Sequence, residues 1–207
     1  MSNILPSTSR IESFSDGVFA IIITLLIFTI KVPLLTDLTP QAVLEVTLRL
    51  MPQFITFAIS FFTIAIFWVN HHHFFHQVDH SDWKLMWWNN LLLFWLAIVP
   101  FTTDFFGKYT KIPIVVSIYS AILCLASLTF MIMVNYAFLQ SDLIHKKIPK
   151  EFRINERNRT MIGVVAYFLA AVIAIFNVWI AIFIIFVNPI FYFIPTLVEE
   201  QMKNHKH

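Results

Sequence analysis

Residues 160–196 read T-M-I-G-V-V-A-Y-F-L-A-A-V-I-A-I-F-N-V-W-I-A-I-F-I-I-F-V-N-P-I-F-Y-F-I-P-T, a run without one charged side chain. A single helix of this length would measure roughly 55 Å at about 1.5 Å per residue, whereas the hydrocarbon core of a bilayer is only about 30 Å thick. Asn177, near the middle of the run, is the residue that interrupts its apolar character. We therefore expect two membrane-spanning helices that meet in a tight hairpin near Asn177.

The rest of the chain is equally apolar. Hydrophobic residues make up 58% of the 207 residues and charged residues 13%, and the mean hydropathy is +0.76. This composition excludes an ordinary soluble domain. We predict an all-α, polytopic membrane protein built as one unit over residues 1–207, with six transmembrane helices. These helices are expected at approximately 13–34, 48–70, 85–105, 112–140, 158–176 and 178–197.

The placement of positive charge predicts the orientation. If the N-terminus is cytoplasmic, most of the 14 Lys and Arg residues fall in the cytoplasmic segments of a six-helix arrangement. The positive-inside rule thus favours a multi-pass protein with two cytoplasmic termini. The expected location is a bacterial-type plasma membrane. The net charge of +2 is too small to suggest a nucleic-acid partner, so the expected partner is membrane lipid.

The first apolar helix contains the most informative polar residue. The stretch R-I-E-S-F-S-D-G-V-F-A-I-I-I-T-L-L covers residues 10–26. An ionisable residue at membrane depth is costly, so Asp16 is a functional candidate. The alternative is that Asp16 and the neighbouring serines cap the helix N-terminus. A helix start near Ser13 is compatible with both.

Helical spacing divides this helix into two faces. At about 100° per residue, Leu25 and Phe28 fall within roughly 40° of Ile21, and Thr24 lies about 60° away. Asp16 falls on the opposite side and is expected to need a hydrogen-bond donor from another helix. The donors predicted to lie at the same depth are His71, His72, Asn89, Asn90 and the indoles of Trp68 and Trp87.

Two motifs resemble those of one known family. The motif R-x-x-x-F-S-D at residues 10–16, followed by G-V-F-A-I at 17–21, is similar to the signature of the transmembrane protein 175 family, which comprises lysosomal-type potassium channels and shorter prokaryotic relatives. The ending W-x-x-H-H at residues 68–72 is similar as well. Animal members carry two such six-helix units and this chain carries one, so the resemblance implies a homotetramer around a central pore.

The resemblance also implies roles for residues. The family's pore is lined by the first helices, and its apolar constriction stands five positions after the motif aspartate, which is Ile21 here; Thr24, Leu25 and Phe28 would continue the pore. Such a constriction acts as filter and gate through dewetting and the cost of stripping water from an ion. The expected protein is a modestly potassium-selective channel, not an enzyme, without a cofactor. The residues expected to brace the first helix are Arg10, Phe14, Ser15, Asp16, Trp68, His71, His72 and Asn89.

Two other interpretations stay open at this point. His72 and His76 are spaced for one helix face, and neutral imidazoles suit Zn²⁺. They suggest a divalent metal transporter that uses the histidine-rich cytoplasmic loop, although a wet loop with structural histidines explains the same residues. The apolar stripe on the first helix also fits ordinary helix packing, which would suit a membrane scaffold that transports nothing.

Overall fold

A computed structural model describes residues 7–35, 39–145 and 148–193 of the chain. The fold over these residues is all-α, which confirms the predicted class. The described helices are α1 (Ser9–Leu25), α2 (Pro40–Arg49), α3 (Met51–Phe75), α4 (Trp83–Lys108), α5 (Pro113–Asn135), α6 (Lys150–Ile173) and α7 (Val178–Phe193). A 3₁₀ segment, Leu26–Thr29, extends α1, and a π-helical segment, Tyr136–Gln140, extends α5.

The prediction of six transmembrane helices is wrong. Within the described ranges, the helices long and apolar enough to cross a membrane are Ser9–Thr29, Met51–Phe75, Trp83–Lys108 and Pro113–Gln140. Charged side chains recur in α6 from Lys150 to Arg159, and the uncharged remainder, Thr160–Ile173, is shorter than the roughly 17 residues that a span needs.

Helix α7 carries no charged residue but also falls short of that length. Its described part is 16 residues long, and residues 194–197 of the predicted last span lie outside the described residues. The predicted cytoplasmic ends of the chain, residues 1–6 and 194–207, lie outside them too. The count of four spans therefore refers to the described part of the chain and replaces the count of six.

The connections between helices follow from local capping. The chain turns at Asn177, whose side-chain oxygen accepts hydrogen bonds from the backbone N–H groups of Trp179 at 3.0 Å and Ile180 at 3.2 Å and so caps α7. Helix α2 is absent from the predicted set. Thr39 caps it by accepting a hydrogen bond from the Ala42 N–H at 3.3 Å, and Pro40 occupies its first turn.

Helix α5 belongs to the most deeply buried of the four candidate spans and packs against α4, α6 and α7. Its residues Tyr119, Leu123 and Met133 are fully buried. The Tyr119 hydroxyl lies 2.9 Å from the Ser60 hydroxyl, which lies 2.7 Å from the hydroxyl of Thr103. These hydroxyls satisfy one another where no water is available, so they tie α3, α4 and α5 together inside the core.

The loop after α3 is joined to the loop after α5. Val78 and Ile144 form an antiparallel backbone bridge, and the backbone N–H of Asp79 donates to the Leu143 carbonyl at 2.8 Å. The Asp79 carboxylate also contacts the imidazole of His145. This junction holds the histidine-rich end of α3 beside the start of α6.

Candidate functional site

The motif at residues 10–16 lies entirely within α1, which begins at Ser9, earlier than the expected start near Ser13. Asp16 therefore stands well inside the helix, and the alternative that it caps the N-terminus is wrong. The side chains of Arg10 and Phe14 are exposed. The Arg10 guanidinium has no hydrogen-bond or ion-pair partner among the residues that the structure describes.

Ser15 belongs to a buried polar cluster that joins three helices. The Asn89 amide of α4 donates to the Ser15 hydroxyl at 3.0 Å, and the Asn89 carbonyl oxygen lies 2.8 Å from Nε2 of His71 on α3. All three residues are at most 1% exposed. Because Asn89 uses its oxygen as the acceptor, His71 carries the hydrogen on Nε2. The cluster fixes both the rotation and the depth of α1 against α3 and α4.

Asp16 has a different partner from Ser15. The indole N–H of Trp68 donates to the Asp16 carboxylate at 2.9 Å. Of the donors considered from the sequence, Trp68 thus donates to Asp16, whereas Asn89 donates to Ser15 and His71 contacts Asn89. The Trp68 ring also stacks on His72 with 6.0 Å between centroids. The polar contacts of α1 with α3 therefore continue from the buried cluster to the surface.

The opposite side of α1 faces away from the other described helices. Phe19, Ile22 and Leu26 are buried against α3 and α4, whereas Ile21 is 59% and Phe28 71% exposed. Leu25 and Thr24 are exposed as well, and the Thr24 hydroxyl donates to the Ile21 carbonyl at 2.9 Å. The structure brings Ile21, Thr24, Leu25 and Phe28 onto one uncovered apolar stripe. A stripe of this size needs lipid or protein over it, or lines a narrow pore.

The histidine-rich end of α3 does not form a metal centre by itself. Nε2 of His72 lies 3.1 Å from Nε2 of His76, and the two rings meet edge to face. Among the described residues, no group of three or more His, Cys, Asp or Glu side chains is arranged to hold a metal ion. The nearby carboxylates are engaged elsewhere, since Asp79 contacts His145 and Asp82 accepts from the Tyr136 hydroxyl.

Several of these features carry little signal in the sequence. The pairings of Ser15 with Asn89 and of Ser60 with Tyr119 join residues far apart in the chain. Asp104 forms an ion pair with Lys108 at 2.6 Å. Its spacing of four residues from Lys108 on one helix is the signal that identifies this pair.

Known proteins resemble the chain in sequence and in fold. The model of the family described as "Endosomal/lysosomal potassium channel TMEM175" matches residues 10–100. A protein of Chamaesiphon minutus named as a potassium channel is 32% identical over 89% of this chain and 93% of its own length. A second protein with that name, from a Chryseobacterium species, is 29% identical over 95% of this chain and 98% of its own length.

A solved structure extends the likeness to three dimensions. The crystal structure of a lysosomal potassium-selective channel TMEM175 homolog from Chamaesiphon minutus aligns with a TM-score of 0.80 at 31% sequence identity. The alignment covers 89% of this chain and 95% of that one. The likeness thus extends over nearly the full length of both chains.

Proposed function

The chain belongs to the endosomal/lysosomal potassium channel TMEM175 family, and from this we propose that it is a potassium-permeable channel in a bacterial-type plasma membrane. The likeness covers nearly the whole length of a relative that is itself named as a potassium channel. The potassium ion would be the permeant species and the membrane lipid the surrounding partner. No cofactor is part of this proposal, because the passage of an ion through a pore makes and breaks no covalent bond.

The observation that carries the proposal is the uncovered stripe on α1. We infer that four copies assemble with their α1 helices around a central axis, so that the stripe faces the pore. Helix α1 presents its other face to α3 and α4, which leaves the stripe free for contacts outside the protomer. In such a homotetramer, Ile21, Leu25 and Phe28, which are exposed in the single chain, would line the pore.

The ring of four Ile21 side chains would form the narrowest part of this pore. Branched apolar side chains close to one another exclude water, so the ring gates by dewetting and selects through the cost of removing water from the ion. Potassium holds its water less tightly than sodium, and the ring therefore favours potassium modestly. Thr24 would place hydroxyl oxygens next to the ring, while Leu25 and Phe28 continue the apolar lining.

The buried cluster would serve this pore from the other face of the helix. Ser15, Asn89 and His71 hold α1 at a set rotation, and a rotation error would turn Ile21 out of the axis. Asp16 and Trp68 support the same orientation nearer the surface. In this proposal the motif at residues 10–16 positions the pore helix and does not contact the ion.

The decisive experiment compares Ile21→Asn with Ile27→Asn in liposomes. Both residues are exposed isoleucines of the first span, but Ile27 stands outside the stripe. We expect wild-type protein to pass potassium in preference to sodium, Ile21→Asn to bring that preference close to unity, and Ile27→Asn to keep it. The measured quantities are the fluxes of potassium and sodium under imposed gradients. Particle mass is measured on the same samples to give the number of chains in each particle.

Two results would contradict the proposal. Absence of potassium flux from a folded tetramer would remove the channel function itself. An ion preference that is unchanged in Ile21→Asn would leave a channel but remove Ile21 as its filter.

A further inference from the structure

A cavity of about 620 Å³ lies between α3, α5, α6 and α7, away from the α1 stripe. Its volume falls within the range of about 300–1,000 Å³ that is usual for sites that bind small molecules. The cavity lies at the end of the bundle where the loops after α3 and α5 are joined. Exposed lining residues, Val69, His73 and His76, mark its mouth.

One part of the lining is polar and has unused hydrogen-bonding capacity. Oε1 of Gln77 is buried without a hydrogen-bond partner, and the Asn70 amide has no partner among the described residues. The Arg159 guanidinium lies over the Tyr192 ring, 5.6 Å from its centroid, and no carboxylate in the described ranges pairs with it. A half-buried guanidinium that no described carboxylate pairs with is suited to an anionic oxygen group, whereas the Gln77 oxygen, an acceptor, is suited to a hydroxyl donor.

The other part of the lining is apolar and aromatic. Helix α5 and its extension contribute Phe130, Val134 and Phe138, and α3 contributes Phe67 and Phe74. These side chains are all less than 9% exposed to solvent. A ligand that fills the cavity therefore needs a hydrocarbon portion next to its charged group. A free anion would meet Arg159 but leave this wall uncovered.

We propose that this cavity binds a membrane amphiphile with a single anionic head group, such as an anionic phospholipid, with the phosphate on Arg159 and an acyl chain against α5. Basic pockets between membrane helices are known to take anionic lipid head groups. Glu156 also lines the cavity, so its charge disfavours a head group with several negative charges. The Asn70 amide N–H can donate to the phosphate, and Oε1 of Gln77 can accept from a hydroxyl group of the head group.

The test measures lipid binding to the full-length protein in neutral detergent. The ligands are dioctanoyl phosphatidylglycerol, dioctanoyl phosphatidylcholine and glycerol phosphate, which separate the lipid from the free phosphate. Thermal melting and native mass spectrometry report binding without any reference to ion flux. We expect the phosphatidylglycerol to bind about tenfold tighter than the phosphatidylcholine, because the trimethylammonium group of the phosphatidylcholine offsets the charge of its phosphate next to the Arg159 guanidinium.

The variants distinguish lipid binding in the cavity from lipid attraction by surface charge in general. Arg159→Gln should abolish the preference for the anionic lipid, whereas Arg157→Gln, which changes the same charge on α6 outside the cavity, should keep it. Thr160→Phe fills the cavity at a half-buried position and should block both lipids while leaving Arg159 in place. Melting of each variant without lipid shows that it is folded.

Three outcomes overturn the proposal. Equal lipid preference in Arg159→Gln and Arg157→Gln would assign binding to surface charge. Binding of glycerol phosphate as tight as that of the phosphatidylglycerol would make the site a phosphate site. Unchanged binding of both lipids to Thr160→Phe would place the lipid outside the cavity.

Discussion

The two faces of α1 differ in what they contact, although they share one short apolar sequence. One face is buried on α3 and α4 through Phe19 and the Ser15 cluster. The other face carries Ile21 and Phe28, which are mostly exposed among the residues that the structure describes. The difference teaches that hydrophobicity alone does not show whether a side chain of a membrane protein is buried or exposed, since both faces are apolar. Hydrogen-bond partners and close packing identify the face that is buried against the other helices of the same chain.

The largest expected effect comes from truncation on the buried face. Phe19→Ala should lower the free energy of unfolding by about 3–5 kcal/mol, because it removes a fully buried ring and leaves a cavity. Ile21→Ala, two positions away on the exposed face, should change it by no more than about 0.5 kcal/mol. Denaturant unfolding in detergent measures both. Equal destabilisation by the two variants would contradict the assignment of the faces.

A smaller effect is expected from the polar cluster. Asn89→Leu leaves the Ser15 hydroxyl and Nε2 of His71 buried without their partner, at a cost of about 1–3 kcal/mol for a stranded group. The triple replacement of Ser15 by Ala, His71 by Leu and Asn89 by Leu should recover part of that loss, because no polar group is then stranded. Melting temperatures of the single and triple variants test this. A triple variant that melts lower than Asn89→Leu would show that the cluster contributes by packing instead.

The smallest expected effect lies at the edge between the two faces. Trp68→Phe removes the hydrogen bond to Asp16 but keeps a ring beside His72, and should cost about 1 kcal/mol or less. Asp16→Leu should cost a similar amount, and the double variant should add little to either single variant. A double-mutant cycle on melting, together with ion preference in liposomes, gives the measurement. Additive losses, or a changed ion preference, would mean that Asp16 acts elsewhere.

The helical period predicted part of this site. The stripe at Ile21, Leu25 and Phe28 follows from the regular rotation of a helix, and the structure leaves these residues exposed on one side. Their role in a pore stays a prediction. The sequence could not select the donor for Asp16, because Trp68, His71 and Asn89 were all placed at similar depth. Small differences in helix rotation decide among them, and no local pattern records those differences.

Hydropathy alone also failed to predict the number of spans, because it does not show where a helix begins. An apolar run at residues 160–173 looks like the core of a spanning helix until the helix is seen to begin at Lys150. The first turns of α6 are charged, so the apolar part that remains is too short to cross a membrane. A sequence window detects the apolar part and its end at Asn177, but where a helix begins depends on the loop that precedes it and on the packing against α5.

The amino-acid sequence by itself determined the membrane class, the all-α fold and the family, because composition, helical period and the motif at residues 10–16 are local properties. Only the tertiary structure decided which polar groups meet and where space remains. Ser15 and Asn89 are 74 positions apart, and the Arg159 cavity combines four helices. Such contacts depend on the relative rotation and depth of whole helices, which the packing of every buried side chain sets together.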